Sequence, residues 1–326
     1  MNRRSVIMRN DISELRTFNL GGFKQKVLIE GLRRDLPVVI CLHGGPGTPI
    51  PFSVGCRGMF PEFTDNFIMV YWDQLGCGAN DRIISDDYNI KSYVQMTEDL
   101  IDEIKSLFPS NKIILLGLSW GTVLCARLLK RNPHAVDAVV ACGQIVSAPF
   151  ISEEVMFELA TSKMPKDKLT EVLNLNADNF SPEKLKKMIG AIRKYTNGYQ
   201  HKEGSKASLG KIILGLLTSP DYKFKDFKAI IVNGMAENTY IWKELLKINL
   251  SQVIERVDIP YSILQGDSDI VASTRTIKGV VNGSHNSNLK LRIVDKTGHI
   301  PGVEMMDALL DELKAVYSFL KLRKVG

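Results

Sequence analysis

The chain has 326 residues, of which 44% are hydrophobic and 24% are charged, and its formal net charge is +6. This composition is typical of a globular protein, and the length allows two domains or one large α/β domain with an insertion. Because the basic residues are scattered rather than arranged in a stripe with aromatic residues, we expect no nucleic acid partner.

The cysteines and the apolar runs bear on the cellular compartment. There are five cysteines, an odd number, and they form no paired C-x-x-C framework. This usage favours a reducing compartment over secretion and gives no metal site. We find no signal peptide, and no apolar run approaches the roughly 18 residues that a membrane span needs. We therefore expect a soluble cytoplasmic protein with no membrane partner.

The first part of the chain alternates strand-like and helix-like segments. Residues 24–31 alternate apolar and polar side chains, as a half-buried strand does, whereas later strands are continuous apolar runs. Such runs are typical of a parallel sheet that is covered on both faces. The predicted strands are 24–31, 36–42, 67–72, 112–118 and 135–143, and the predicted helices are 92–108 and 121–133.

From about residue 148 to about residue 255 the pattern changes to lysine-rich helical segments, such as 181–195 and 239–250. Strands then return, and a long amphipathic helix closes the chain. These last elements are strands 260–266 and 289–295 and a helix over 306–324. The order predicts one mostly parallel, doubly wound α/β sheet with an inserted helical cap. The predicted ranges are 1–147 and 256–326 for the core and 148–255 for the cap.

The segment "GLSWG", residues 117–121, lies between a predicted buried strand and a predicted helix. This is the context that the G-x-S-x-G nucleophile elbow requires. Gly117 and Gly121 carry no side chains that would clash in a strained turn. The hydroxyl of Ser119 would then stand at the carboxyl end of the sheet, where it could act as a nucleophile.

A serine nucleophile needs a base and an acid that orients the base. Of the five histidines, only His299 follows the last predicted strand, the position that the chain order Ser…Asp…His gives to the base. Asp267 and Asp269 both follow the strand before it, about thirty residues upstream. Either carboxylate fits the role of the acid on position alone.

The glycine-rich loop "HGGPG", residues 43–47, follows an early strand. Loops in this position supply one amide of an oxyanion hole, and the residue after the nucleophile supplies the other. We assign these two amides to Gly45 and Trp120. The loop lacks the lysine and the spacing of a phosphate-binding loop.

Taken together, these segments resemble the α/β-hydrolases of the prolyl iminopeptidase group. The matching segments are "HGGPG" at 43–47, "YWDQLGCG" at 71–78, "GLSWG" at 117–121, "QGDSD" at 265–269 and "GH" at 298–299. The resemblance implies a Ser–Asp–His triad without cofactor or metal and favours Asp269 as the acid. Many members of the group release an N-terminal residue, often proline, from peptides.

The resemblance also aligns Glu237, in "GMAENTYIW", with a cap glutamate that holds the free α-amine of the substrate in iminopeptidases. An ammonium group in a partly dry pocket needs such a carboxylate. The chain departs from the group at three positions, where it has Leu75 for arginine, Thr239 for histidine and Ile270 for an acidic residue.

These observations predict a serine hydrolase that cleaves an ester or amide bond through a covalent acyl-enzyme. Its partner is then a small molecule or a short peptide. It is either an aminopeptidase or an esterase or amidase acting on a small metabolite. A non-catalytic ligand-binding protein on the same fold is the alternative from another class. The sequence does not indicate an oligomeric state.

Overall fold

The computed structural model describes residues 2–85, 87–205 and 209–322. In this part of the chain, eight strands form a single sheet in the order β1-β2-β4-β3-β5-β6-β7-β8. All neighbouring pairs from β4 to β8 in that order are parallel. The predicted fold class, a mostly parallel, doubly wound sheet flanked by helices, is confirmed. Residues 323 and 324, at the end of the predicted closing helix, lie outside the described residues, as do residues 1 and 206–208 of the predicted core and cap.

The described part of the chain forms eight strands and fourteen α-helices. The strands are β1 (Ile12–Leu20), β2 (Phe23–Gly31), β3 (Val38–Leu42), β4 (Ile68–Trp72), β5 (Ile113–Leu118), β6 (Ala138–Cys142), β7 (Tyr261–Gly266) and β8 (Leu289–Val294). The helices of the core are α1 (Arg3–Arg9), α2 (Pro61–Thr64), α3 (Ile90–Leu107), α4 (Trp120–Arg131), α13 (Thr274–Gly283) and α14 (Val303–Leu322). Between β6 and β7 lie α5 (Glu153–Thr161), α6 (Lys166–Leu173), α7 (Pro182–Tyr195), α8 (Leu209–Leu217), α9 (Phe224–Lys228), α10 (Gly234–Glu237), α11 (Thr239–Leu245) and α12 (Ser251–Glu255).

The structure contains elements that the sequence pattern did not indicate. Strand β1 pairs antiparallel with β2 at the edge of the sheet, and six of its nine residues are half-buried or exposed. Its sequence is rich in polar and charged side chains and lacks the apolar pattern of a buried strand. Backbone pairing with β2 stabilises it.

Helix α13 contains two glycines and several β-branched residues, which are poor helix formers. It forms because Ser273 caps it and because Ile277 and Val280 are buried against the core.

Successive side chains of each central strand point to opposite faces of the sheet, and both faces are covered. In β3, Val38, Ile40 and Leu42 belong to the apolar layer that includes α3 and α4. Val39 and Cys41 belong to the layer that includes α14. Every residue of β3, β4, β5 and β7 is buried. This explains why these strands are continuous apolar runs in the sequence.

The described elements between β6 and β7 are all helices, and we propose residues 148–255 as the inserted cap. Apolar side chains of these helices, such as Trp242 and Leu245, join the same buried cluster as α3 and α4. The cap is therefore packed onto the core by a continuous apolar contact. No described helix combines the length and the apolar character needed to cross a bilayer.

Candidate active site

The turn between β5 and α4 holds Ser119 in a backbone conformation that side chains rarely adopt, with φ of 48° and ψ of −111°. A strained residue at such a turn projects its side chain beyond the end of the sheet, as in a nucleophile elbow. A Cβ atom on Gly121 would lie 2.0 Å from the carbonyl oxygen of Leu42. A Cβ atom on Gly117 would lie 2.7 Å from Sγ of Cys125. The two glycines of the motif are therefore required for the close approach of β3, β5 and α4.

Three side chains from three different loops form a hydrogen-bonded chain at this edge of the sheet. Ser119 Oγ lies 2.8 Å from His299 Nε2, and His299 Nδ1 lies 2.8 Å from Asp269 Oδ2. The side chains of His299 and Asp269 are 7% and 1% exposed. Because a carboxylate accepts at Nδ1, the neutral imidazole carries its proton there, and Nε2 accepts from the serine hydroxyl. The structure thus brings together Ser119, Asp269 and His299.

Asp269 is held from several sides. Its Oδ1 accepts hydrogen bonds from the amides of Val271 and Ala272, both at 2.9 Å. Its Oδ2 accepts from Gln265 Nε2 at 3.1 Å in addition to His299. A buried carboxylate with this many donors stays where it can orient the imidazole. Gln265 did not emerge from the sequence as a functional residue, although it begins the segment "QGDSD".

Asp267, the other carboxylate that position alone allowed, does not face His299. Its two carboxylate oxygens accept from the amides of Lys296 and Thr297, at 2.9 Å and 3.0 Å. These residues lead directly into the loop that carries His299. Asp267 therefore fixes the course of that loop, while Asp269 contacts the imidazole.

A segment between α7 and α8 also holds the histidine loop. The amide of His299 donates to the carbonyl of Gly198 at 3.0 Å, and the amide of Ile300 donates to the carbonyl of Tyr199 at 2.9 Å. A Cβ atom on Gly198 would lie 2.2 Å from Cγ1 of Ile270, the residue after Asp269. One cap segment thus packs against both loops that carry the acid and the base.

The two residues that the sequence assigned to an oxyanion hole differ in exposure, because Gly45 lines the cavity and Trp120 is buried directly after Ser119. Gly45 has φ of 117°, and a Cβ atom there would lie 2.5 Å from the amide nitrogen of Gly47, so only glycine fits. Trp120 is the first residue of α4, where amides have no partner within the helix. Neither amide donates a backbone hydrogen bond to another described residue. Gly45 and Ser119 line the same cavity.

A buried network that sequence reasoning missed supports this loop. His43 Nδ1 lies 2.8 Å from the carbonyl oxygen of Gly44, and His43 Nε2 accepts from the amide of Gln74 at 3.0 Å. The Gln74 side-chain oxygen accepts from the indole of Trp120 at 2.8 Å. Burial lowers the pKa of His43 to about 4, so its imidazole is neutral at pH 7. The network joins the glycine loop to the start of α4.

The neutral state of His43 makes the free energy of unfolding depend on pH. Its pKa lies below the unfolded value of 6.5, so its contribution is complete above pH 6.5 and is lost as the pH falls towards 4. Between about pH 7 and about pH 4.5, we expect the stability difference between wild type and His43→Asn to shrink by about 2 kcal/mol. Urea unfolding at both pH values measures this difference. A difference that stays constant would contradict the prediction.

Asp73, in the segment "YWDQLGCG", is a buried anchor for the surrounding loops. Its Oδ1 accepts from the amide of Val54 at 2.9 Å, and its Oδ2 accepts from the amide of Ala79 at 2.8 Å and from the hydroxyl of Tyr222. Burial raises the pKa of Asp73 to about 6. A Cβ atom on Gly78 would lie 2.3 Å from Oδ2. Asp73 therefore connects two core loops to the cap and has a structural role rather than a chemical one.

A cavity of about 260 Å³ lies above Ser119, between the core loops and the cap. Its walls are mainly apolar. The apolar side chains from the cap and the histidine loop are Phe150, Leu185, Ile189, Trp242, Ile300 and Pro301. A volume of this size is at the small end of the range for ligand pockets.

The charged groups around the cavity differ from the expectation for an aminopeptidase. Glu237 is exposed at the end of α10 and is not among the side chains that line the cavity, although its neighbour Ala236 is. It lines a separate surface depression together with Arg82. Among the described residues that line the cavity, Lys186 of α7 is the one lysine or arginine, and none is a carboxylate. In the described part of the chain, no group of three or more His, Cys, Asp or Glu side chains could hold a metal ion.

The contact between Gln265 and Asp269 predicts a positioning role. Gln265→Leu removes a donor from the carboxylate oxygen that faces His299, and hydrogen bonds to charged groups contribute about 1.5–3 kcal/mol. We expect kcat for p-nitrophenyl acetate to fall by roughly 10- to 100-fold, with KM nearly unchanged because Gln265 does not line the cavity. Steady-state kinetics separates the two constants. An equal loss in the exposed control Gln252→Leu, or a change confined to KM, would contradict the prediction.

Known proteins resemble this chain in sequence and in fold. Residues 37–304 match the family model of the alpha/beta hydrolase fold. The chain is 21% identical over 305 residues to the probable aminopeptidase YbaC of Bacillus subtilis (strain 168), covering 91% of this chain and 93% of that protein. It is 31% identical over 141 residues to the proline iminopeptidase of Heyndrickxia coagulans, covering 43% and 46% of the two chains. The structure of the proline iminopeptidase of Mycobacterium smegmatis superposes with a TM-score of 0.60 at 18% identity, covering 96% of this chain and 99% of that one.

The chain therefore belongs to the alpha/beta hydrolase fold family. Within it, the chain is similar to proline iminopeptidases, as the motifs indicated. It is a hydrolase of this superfamily whose relatives at low identity include aminopeptidases.

Proposed function

We propose that the protein is a serine hydrolase that cleaves an ester or amide bond through a covalent acyl-enzyme. The observation that supports this most directly is the hydrogen-bonded chain from Ser119 through His299 to Asp269 at the floor of the cavity. The serine hydroxyl gains a base within hydrogen-bond reach, and the base has an orienting carboxylate.

In the proposed reaction, Ser119 Oγ forms a bond to the substrate carbonyl carbon while its proton passes to His299 Nε2. The carbonyl oxygen becomes negative and is held by the amides of Gly45 and Trp120. The tetrahedral intermediate then collapses, the bond to the leaving group breaks, and His299 returns the proton to that group. Water enters, gives a proton to His299 and attacks the acyl carbon. The bond between that carbon and Ser119 Oγ then breaks, His299 returns the proton to Oγ, and the acid leaves. Asp269 stabilises the imidazolium during both acylation and deacylation.

For the substrate, we propose a small, largely apolar acyl group without a free amine, in an ester or amide. An ammonium group buried without a carboxylate partner is costly, and the described lining offers it Lys186, a like charge, instead. The second candidate is an aminopeptidase, which the names of the relatives favour. We also propose that the protein acts in the cytoplasm, which is supported by five free, buried cysteines.

A fluorophosphonate probe tests the catalytic proposal. We expect the folded protein to gain one phosphonyl group, located on Ser119 by peptide mass spectrometry, because the probe traps an activated serine. Ser119→Ala should remain unlabelled. Absence of labelling in folded wild-type protein would support a non-catalytic ligand-binding protein instead.

A substrate panel tests the proposed specificity. The panel compares prolyl and alanyl p-nitroanilides with a free amine, their N-acetyl forms, and short p-nitrophenyl esters. We expect the N-acetyl and ester substrates to have the higher kcat/KM, and Glu237→Gln to change no rate by more than about twofold, since Glu237 lies outside the cavity. Strict dependence on a free amine, lost in Glu237→Gln, would favour the aminopeptidase.

A further inference from the structure

A second large cavity lies at the junction of core and cap, apart from the candidate active site. It is formed by the start of α3, the last turn of α4 and the end of α11, and its volume is about 660 Å³. We call it the junction cleft. The residues that line it are Ile90, Lys91, Val94, Arg127, Lys130, Arg131, Glu244, Lys247 and Ile248. Helix α4 begins directly after Ser119 and is about 18 Å long, so its last turn is far from the serine.

The junction cleft carries a strong excess of positive charge. Five of its lining side chains are lysine or arginine, and one, Glu244, is a carboxylate. Glu244 is engaged as a helix cap, because its Oε2 accepts from the amide of Ile90 at 2.8 Å. Its charge remains, so the five cations exceed the lining carboxylates by four.

Three of the five cations have no ion-pair partner within the described part of the chain. Arg131 lies 3.1 Å from a carboxylate oxygen of Glu98, and Lys247 lies 2.9 Å from one of Asp178. The other three cations have no such contact to a described residue. These three are Lys91, Arg127 and Lys130.

Helix electrostatics explains some of these charges but not all. Cations in the last turn of α4 are favoured by the helix dipole. Lys91 stands in the first turn of α3, where a cation is unfavourable. The helix has no acidic residue of its own in that turn, and Glu244 is the carboxylate that caps it. Lys247 comes from the cap and faces the same space. Core and cap thus place like charges around one cleft, and an anion bound there would reduce their mutual repulsion.

The floor of the junction cleft is apolar. Ile90, Val94 and Ile248 are buried there, with at most 7% of their surface exposed. A ligand that matches both features has phosphate groups for the lysine and arginine side chains and an apolar or aromatic part for the floor. Arginine and lysine side chains together are the usual partners of phosphate oxygens.

We propose that the junction cleft is a binding site for an organic phosphate that carries at least two negative charges. The ligand would connect core to cap, because Lys91, Arg127 and Lys130 belong to the core and Lys247 to the cap. Helix α11 forms a wall of this cleft through Glu244 and also presents Trp242 to the cavity above the serine. The site stands apart from the proposed hydrolysis and does not depend on it.

Isothermal titration calorimetry of the full-length protein tests this site with ADP, coenzyme A and inorganic pyrophosphate as probes, at about 0.1 M salt. We expect ADP or coenzyme A to bind with one-to-one stoichiometry. Pyrophosphate should bind more weakly because it has no part that contacts the apolar floor. The absence of saturable binding by ADP and coenzyme A would overturn the proposal. If pyrophosphate binds as tightly as ADP and coenzyme A, the proposal that the ligand has an organic part is overturned.

Charge variants locate the site. Replacing Lys91, Arg127 and Lys130 together by glutamine should weaken the binding of ADP or coenzyme A at least roughly tenfold. Circular dichroism checks the fold of this variant. If it does not fold, the variant with only Lys91→Gln and Lys130→Gln, two exposed side chains, should still weaken binding severalfold.

A matched control removes the same number of charges elsewhere. Lys105, Lys278 and Lys314 are exposed and do not line the cleft. Replacing these three lysines by glutamine should leave the affinity within about twofold of wild type, since the net charge alone has a small effect at this salt concentration. An equal loss in both triple variants would show non-specific attraction and would overturn the site.

Discussion

Replacement of Ser119 by alanine is expected to lower kcat for a p-nitrophenyl ester about 10⁶-fold, which corresponds to about 8 kcal/mol of activation free energy. The oxygen that forms the acyl bond is lost, and neither His299 nor Asp269 can replace it. The remaining rate would come from the two amides and from binding alone. Measurement requires a rate assay on purified variant with a detection limit near the uncatalysed hydrolysis.

The control for this variant is Ser268→Ala. Ser268 donates to Asp267 Oδ1 and does not line the cavity, so its loss should change kcat by less than about twofold. Unfolding curves of both variants should resemble that of wild type. Retention of more than one hundredth of the wild-type rate in Ser119→Ala would contradict the assignment of the nucleophile.

Replacement of Asp269 by asparagine is expected to lower kcat about 10⁴-fold, as the equivalent change does in another serine hydrolase. An asparagine amide can donate to His299 Nδ1, which moves the imidazole proton to Nε2. The histidine then donates to Ser119 and cannot accept its proton. Because the geometry survives, KM should change little, and steady-state kinetics with one ester substrate measures both constants.

Asp267→Asn provides the matched comparison. This residue is the neighbouring aspartate of the same loop, but it accepts from the amides of Lys296 and Thr297 rather than from the imidazole. We expect a loss of thermal stability and a fall in kcat of at most about tenfold. A larger fall in kcat for Asp267→Asn than for Asp269→Asn would reverse the assignment of the acid.

The sequence identified the central strands because they are buried on both faces. Runs such as residues 67–72 and 112–118 have no polar face, so local composition is enough to identify them. The elbow at Ser119 is also local, since a strand, a glycine pair and a helix follow one another along the chain. By contrast, β1 and α13 depend on partners that are distant in sequence, and local propensity does not indicate them.

The sequence did not predict the hydrogen bonds that support the candidate active site. Gln265, His43 and Gln74 are polar residues whose partners lie on other elements, and a single sequence gives no measure of those distances. Glu237 shows the converse case. Its segment resembles the one that holds the α-amine of the substrate in iminopeptidases. In the structure, Glu237 lies at the end of α10 and lines a separate depression rather than the cavity.

Local sequence patterns were enough to predict the class of fold, the chain order Ser…Asp…His of the candidate site, and the glycines that each sharp turn requires. These follow from local rules of burial, periodicity and backbone sterics. The three-dimensional arrangement was needed to show which aspartate faces His299, which charges surround the cavity, and that cations from core and cap meet in the junction cleft. Each of these is a distance between residues that are far apart along the chain, and such distances are set by packing of the whole molecule.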